Sequence, residues 1–303
     1  MNNAAVIDAG TVSCTEVSAD DLSLDNQLYI RIYEDFLTGR LKVPIMPDIA
    51  TRIRRAVSGE DADATSVTKI IQTDPPLSAY LIRVGNSPLY STGRPVQELK
   101  SVVSRLGLMV IRDLVMSFTL KNLYASKNAM LKRRMTDAWM HSCAVSAFCH
   151  VIAKETRAAN VDRALLAGLL HDIGDVVILS RAEDYPELIK DTPKLDQTLA
   201  TLRGQIGAMV LNHWQMEDDF VQAAAGAEDW ERNGGAGVDL CDIVVVAQIL
   251  LNQTQNDARP LPAPESIPAF VKLATGRDLA DFSSRITEGA RVELLEVQKL
   301  LQG

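Results

Sequence analysis

The stretch LLAGLLHDIGDVVIL, residues 165–179, determines how we interpret the rest of the chain. It places His171, Asp172 and Asp175 within an otherwise apolar run. Ionisable side chains in a protein core need polar partners or a metal ion, because burial otherwise carries a large free-energy penalty. The stretch therefore predicts a buried polar cluster.

A helical interpretation brings these side chains together. At about 100° per residue, His171 and Asp172 fall on neighbouring faces of a helix, and Asp175 returns to within about 40° of His171. A β-strand would point His171 and Asp172 to opposite sides. Imidazole and carboxylate together suit a divalent transition metal. Alternatively, His171 bonds to a neighbouring carboxylate or backbone carbonyl and serves only packing, since an isolated His-Asp pair is a weak signal.

Composition limits the classes of protein that fit. The chain has 303 residues, of which 47% are hydrophobic and 23% charged, as in globular proteins with one large or two modest domains. A net charge of −8 opposes binding to nucleic acid or to an anionic membrane surface. No apolar run approaches the roughly 18 residues of a membrane span. We therefore expect neither a nucleic-acid partner nor a membrane partner.

The cysteines and the N-terminus indicate a location. Cys14, Cys143, Cys149 and Cys241 lack the paired spacing of a metal finger, and they are too few for a disulfide scaffold of this length. The N-terminus lacks the basic start and apolar core of a signal peptide. Both observations favour a reducing, cytoplasmic location.

Hydrophobic periodicity predicts an all-α fold. Apolar residues recur at helical spacing between Gly, Pro and Asn turn signals, and no convincing strand alternation occurs. The predicted organisation is a flexible tail at 1–22, an N-terminal helical subdomain at 23–125, a second helical subdomain at 126–253 and a C-terminal helical extension at 254–303.

One predicted helix contributes a further histidine. Residues 136–153 show helical periodicity and contain His141 and His150. The nine-residue spacing puts the two side chains about 180° apart, so they cannot bind one ion from an unbroken helix. We take His141 as the candidate ligand and expect His150 on the surface.

Several segments, in this order and spacing, resemble the HDOD domain, an HD-superfamily relative found in bacterial signalling proteins. The resemblance runs from about Leu41 to Leu251. It is carried by residues 43–47 (VPIMP), 74–77 (DPPL), 86–87 (NS), 101–107 (SVVSRLG), 139–142 (WMHS) and 169–174 (LLHDIG).

The resemblance implies a fold and a ligand set. The fold is an N-terminal helical bundle packed against an HD-like C-terminal helical bundle. HD phosphohydrolases use a histidine, a His-Asp pair and a later aspartate to bind one or two metals, which activate water against a phosphoester. His141 matches the first histidine, and His171 and Asp172 match the pair. These three residues are the predicted ligands of one divalent transition metal.

Other positions depart from the catalytic pattern. The last aspartate falls on Gln248, whose neutral amide supplies no negative charge. Relatives with phosphodiesterase activity have further histidines where this chain has Arg203 and, approximately, Ala227 and Glu228. The lysine that follows the pair in such enzymes is Asp175 here. A two-metal hydrolase is therefore not expected, and Asp175, Arg203, Glu228 and Gln248 are predicted pocket residues.

Two functions follow as hypotheses. The first is a non-catalytic signalling module with a degenerate metal site, which senses a small ligand or contacts a signalling protein partner. For a nucleotide ligand, Arg203 is a candidate phosphate contact, the alternative being a surface ion pair with an acidic neighbour. The second hypothesis is a metal-dependent phosphohydrolase acting on a nucleotide or phosphodiester. The sequence does not indicate an oligomeric state.

Overall fold

Helices form all the regular structure in the part of the chain that the computed structural model describes, residues 27–41, 43–59, 62–87, 90–91, 93–185, 189–255 and 262–302. This confirms the all-α fold class. The predicted tail at 1–22 lies outside the described residues. The helices are α1 (Gln27–Leu37), α2 (Asp48–Ser58), α3 (Ala64–Ile71), α4 (Pro75–Gly85), α5 (Leu99–Leu106), α6 (Leu108–Leu120), α7 (Ala129–Thr156), α8 (Val161–Leu170), α9 (Ile173–Ala182), α10 (Thr192–His213), α11 (Asp218–Ala225), α12 (Leu240–Gln255), α13 (Pro268–Leu273) and α14 (Leu279–Gln302).

Several helices begin at side-chain caps. The Asp63 carboxylate accepts hydrogen bonds from the first backbone amides of α3, and Asp74 does so for α4, which has prolines in its first turn. Asn160 caps α8 in the same way. Each cap satisfies amides that have no partner within the helix. Local sequence therefore sets where these helices begin.

The N-terminal and C-terminal bundles share one hydrophobic core. Helix α6 packs on α8, and α1 packs on α10. Polar contacts join the same elements: the Trp214 indole N–H donates to the Pro44 carbonyl at 2.8 Å, and Arg112 Nη1 lies 2.6 Å from Glu217 Oε1. The predicted packing of one bundle on the other is confirmed, while the subdomain boundaries stay predictions. Every helix in the described ranges is too short or too polar to span a bilayer.

His150 is completely buried, so the prediction that it lies on the surface is wrong. It does face away from the His141 side of α7, but α14 covers that face. Glu293 Oε2 on α14 is 3.9 Å from His150 Nε2, and neither ring nitrogen has a hydrogen-bond partner among the described residues. Burial, with a smaller contribution from the Lys154 charge, lowers the pKa of His150 to about 4.

We expect His150 to make the folded chain sensitive to acid. Below its ordinary pKa of 6.5, the unfolded chain takes up a proton at His150 that the folded chain refuses until about pH 4. The free energy of unfolding should therefore fall by about 3 kcal/mol between pH 7 and pH 4 through this residue. Urea unfolding across this range should give a flatter pH dependence for His150→Leu than for the wild type.

The matched control is His213→Leu, because His213 is exposed at the end of α10. The free energy of unfolding of His213→Leu should depend on pH as that of the wild type does. Equal pH dependence for His150→Leu and the wild type would contradict the burial of an uncharged histidine.

Candidate metal and ligand site

The His171-Asp172 pair lies in a turn between two helices. Helix α8 ends at Leu170 and α9 begins at Ile173, so the interpretation that places both residues of the pair within one helix is wrong. The Asp175 amide donates to the Asp172 carbonyl at 3.0 Å and closes the turn. Both side chains of the pair nevertheless point inward, with 0% of the His171 side chain and 2% of the Asp172 side chain exposed. The buried polar cluster therefore forms at a helix junction.

Two glycines allow this junction to pack closely against neighbouring helices. A Cβ atom at Gly168 would lie 2.5 Å from Cα of Ser146 on α7, and one at Gly174 would lie 2.1 Å from the carbonyl oxygen of Arg203 on α10. Only glycine permits backbones to approach so closely. The pair is thereby fixed between α7, which carries His141, and α10.

The structure brings the three predicted metal ligands together. Their candidate ligand atoms all lie within 4.8 Å of one another. Oδ2 of Asp172 is 3.2 Å from His171 Nε2 and 3.7 Å from His141 Nε2, and the two imidazole rings are 5.3 Å apart between centroids. The arrangement fits the prediction of one metal site, and the metal itself stays a prediction.

Hydrogen bonding leaves one His171 nitrogen suited to a metal. Nδ1 lies 2.8 Å from the Gly168 carbonyl oxygen, which can only accept, so Nδ1 carries a proton, and Nε2, which faces the other ligands, is the nitrogen that a metal would bind. His171 Nε2 and Asp172 Oδ1 are buried without a hydrogen-bond partner in the described part of the chain. Unpaired nitrogen and carboxylate donors of this kind fit a divalent transition metal.

Arg203 places a permanent positive charge beside these ligands. Its Nη1 is 3.0 Å from Asp172 Oδ2 and 3.2 Å from Glu228 Oε1, and its Nε is 3.3 Å from Asp175 Oδ1. The predicted ion pair with an acidic neighbour is present, but it involves three carboxylates. It is also not on the surface, because only 17% of the Arg203 side chain is exposed.

The two aspartates of the site differ in charge. Burial acts to raise the pKa of Asp172, but the His171 and Arg203 charges dominate and hold it far below its ordinary value. Burial raises the pKa of Asp175 to about 7, because Arg203 offsets only part of the burial effect and the Asp172 and Glu228 charges add to it. Asp172 is therefore ionised at neutral pH, whereas Asp175 titrates near neutral pH.

The Gln248 side chain stabilises the segment that carries Glu228. Its side-chain N–H donates to the Ala227 carbonyl at 2.6 Å, and Ala227 directly precedes Glu228. The amide at the position of the expected last ligand thus anchors the segment that carries Glu228. Among the described residues, the only group of three metal-binding side chains is His141, His171 and Asp172.

Tyr124 and Ser142 were not predicted as site residues. Both hydroxyls are buried, and the Ser142 hydroxyl lies close enough to Tyr124 to affect its pKa. Burial raises the pKa of Tyr124, the Ser142 hydroxyl offsets part of this effect, and the nearby Asp172 and Asp175 charges raise the pKa further. Ser142 directly follows His141, which is the one sequence signal that could have suggested it. Tyr124 lies 17 residues before His141, outside the helix that carries that histidine.

Fold and site together define an all-α protein with an HD-type His/Asp site. The HDOD domain family matches residues 43–229, more than half of the chain. The chain belongs to the HDOD domain family.

Known proteins similar to this chain include solved structures and one curated relative. A Shewanella amazonensis SB2B protein, provisionally named a metal-dependent phosphohydrolase, is 27% identical with a TM-score of 0.72, over 87% of this chain and 98% of that chain. A Geobacter sulfurreducens HDOD domain protein with unknown function is 20% identical with a TM-score of 0.66, over 91% and 99%. An uncharacterized protein of Treponema pallidum (strain Nichols) is 26% identical over 78% of this chain. This chain spans 47% of that relative's length.

We predict that Gly174→Ala destabilises the fold. Its Cβ atom would meet backbone atoms of α10 at 2.1 Å and 2.8 Å, so the helices must separate. Overpacking of this kind costs roughly 1–3 kcal/mol or more. Urea unfolding measures the loss, and wild-type stability in Gly174→Ala would contradict the close crossing.

Gly207→Ala, at the same crossing, is the control. A Cβ atom there would meet only ordinary contacts of 3.5 Å or longer. Because alanine favours a helix interior over glycine by about 1 kcal/mol, this variant should be as stable as the wild type or more stable.

Proposed function

We propose that this chain is a non-catalytic HDOD regulatory module whose site binds a single divalent transition metal and senses a small anionic ligand, such as a nucleotide. The observation that supports this proposal is the position of Arg203. Its guanidinium is permanently charged and contacts Asp172, Asp175 and Glu228. It neutralises the carboxylates that a second metal ion would require.

The remaining donor set is small. His141, His171 and Asp172 would hold a single ion, with His171 oriented by the Gly168 carbonyl. Arg203 is the group that would bind a phosphate of the ligand, because guanidinium matches the geometry of phosphate oxygens. Both roles are proposals.

The alternative function is a metal-dependent phosphohydrolase acting on a nucleotide or phosphodiester. Two histidines and one carboxylate are as many protein ligands as catalytic zinc sites have. The name of the Shewanella amazonensis relative also favours this function. A metal bound there would supply Lewis-acid activation of water. In that case Arg203 would position the phosphoester, and Asp175, with its pKa near 7, is the nearby group that could exchange a proton.

The proposed setting is cytoplasmic, with a signalling protein as partner. The three cysteines in the described ranges are free and buried, as suits a reducing compartment. Val292 and Leu295, one turn apart on α14, are 62% and 59% exposed. Exposed apolar side chains on one helix face suit contact with another protein.

Turnover measurements distinguish the two functions. The wild type and His171→Ala should be assayed with p-nitrophenyl phosphate, bis(p-nitrophenyl) phosphate and cyclic nucleotides in the presence of Mn²⁺, Fe²⁺ or Co²⁺. A regulatory module should show no hydrolysis above the level of His171→Ala.

The control variant is His213→Ala, which removes an exposed histidine outside the site. Metal-dependent turnover that persists in His213→Ala but disappears in His171→Ala and Asp172→Asn would contradict the non-catalytic proposal and establish the phosphohydrolase.

A further inference from the structure

We propose that Arg203 couples two ligands of this site, so that a phosphate-class oxyanion and a divalent cation each strengthen the binding of the other. This inference rests on the single-metal site of the proposed function. It adds a form of regulation to that function: the site binds both ligands tightly when both are present and binds either ligand alone only weakly.

The first step concerns the sharing of Asp172. Its Oδ2 lies 3.0 Å from Arg203 Nη1 and 3.2 Å from His171 Nε2. The carboxylate that a cation needs is therefore already paired with a guanidinium. A divalent cation bound to the same oxygen would face the positive charge of Arg203 across one carboxylate, and like charges repel. Arg203 consequently weakens cation binding in its observed position.

The second step concerns what could draw Arg203 away. Its present partners are carboxylate oxygens of three residues, at 3.0–3.3 Å, together with the Leu199 carbonyl, which accepts from Nε at 3.3 Å. A phosphate-class anion offers two oxygens in the geometry that guanidinium prefers, and such pairs are among the strongest hydrogen-bonded contacts. Pairing with the anion would release Asp172 for a cation.

The third step concerns access. The partly exposed side chains are His141, Arg203 and Glu228, with 29%, 17% and 30% of their surface exposed. Asp172 and Asp175 lie deeper, at 2% and 8%. Arg203 is therefore more accessible to an anion from solvent than Asp172 and Asp175 are. In its pair with Asp172, the guanidinium is the partner that solvent can reach.

Coupling of this kind is reciprocal. If phosphate tightens cation binding by a certain factor, the cation tightens phosphate binding by the same factor. Removal of Arg203 should remove the coupling in both directions. It should also strengthen cation binding in the absence of phosphate, because the repelling charge is gone.

The test measures Mn²⁺ binding to the full chain by electron paramagnetic resonance of the free ion, with and without inorganic phosphate. A phosphate blank without protein corrects for free-ion complexes. In the wild type we expect phosphate to lower the Mn²⁺ dissociation constant by a factor of about 5 to 100. Arg203→Gln should bind Mn²⁺ more tightly than the wild type without phosphate and should show no effect of phosphate.

Two further variants make the result specific. Arg181→Gln is the matched control, because Arg181 is also partly buried and paired with acids, Asp35 and Asp184, outside the site. It should retain the wild-type coupling. Arg203→Lys keeps the charge but loses the paired donors, so it should show weaker coupling with nearly unchanged Mn²⁺ affinity. Thermal unfolding confirms that each variant is folded.

The outcomes separate the coupling from the proposed function. Mn²⁺ binding that phosphate does not alter in the wild type overturns the coupling and leaves the single-metal regulatory site intact. Failure of both the wild type and Arg203→Gln to bind Mn²⁺ overturns the coupling and the metal site together. Phosphoester turnover overturns only the non-catalytic function, because the coupling concerns binding.

Discussion

Three side chains converge on one buried oxygen atom, Oδ2 of Asp172. Arg203, His171 and His141 place nitrogen atoms 3.0, 3.2 and 3.7 Å from it. A carboxylate this deeply buried stays ionised only when positive charge or hydrogen-bond donors surround it. The site therefore depends on positive charge held near Asp172, and Arg203 supplies part of that charge permanently.

The architecture around the site serves this convergence. His141 comes from α7, the His171-Asp172 pair from a turn, and Arg203 from α10, so no single helix can build the cluster. Close backbone contacts at Gly168 and Gly174 set the distances between these elements. Gln248 holds the segment that brings Glu228 to Arg203. Two glycines and one amide side chain thus set the distances between the charged groups of the site.

Much of the fold could be predicted because its signals are local. Asp63, Asp74 and Asn160 cap helices through contacts within three residues, and the sequence shows those contacts directly. The break at His171 and Asp172 could not be predicted, since the apolar pattern continues through it and the turn depends on packing against α7 and α10. The burial of His150 likewise depends on α14, more than a hundred residues later.

The site shows the same division. The resemblance to HDOD domains identified His141, His171 and Asp172, which the structure brings together. The partners of Arg203 are 25 to 31 residues away in sequence, so neither spacing nor composition reveals that it contacts three carboxylates.

The most direct measurement is the number of Mn²⁺ ions bound per chain at saturation, by equilibrium dialysis and plasma mass spectrometry, in the wild type, His171→Ala and the surface control His213→Ala. A single-metal site formed by His141, His171 and Asp172 predicts close to one ion in the wild type and the control, and close to none in His171→Ala. Two ions per chain, no ion, or one ion that survives in His171→Ala would contradict it.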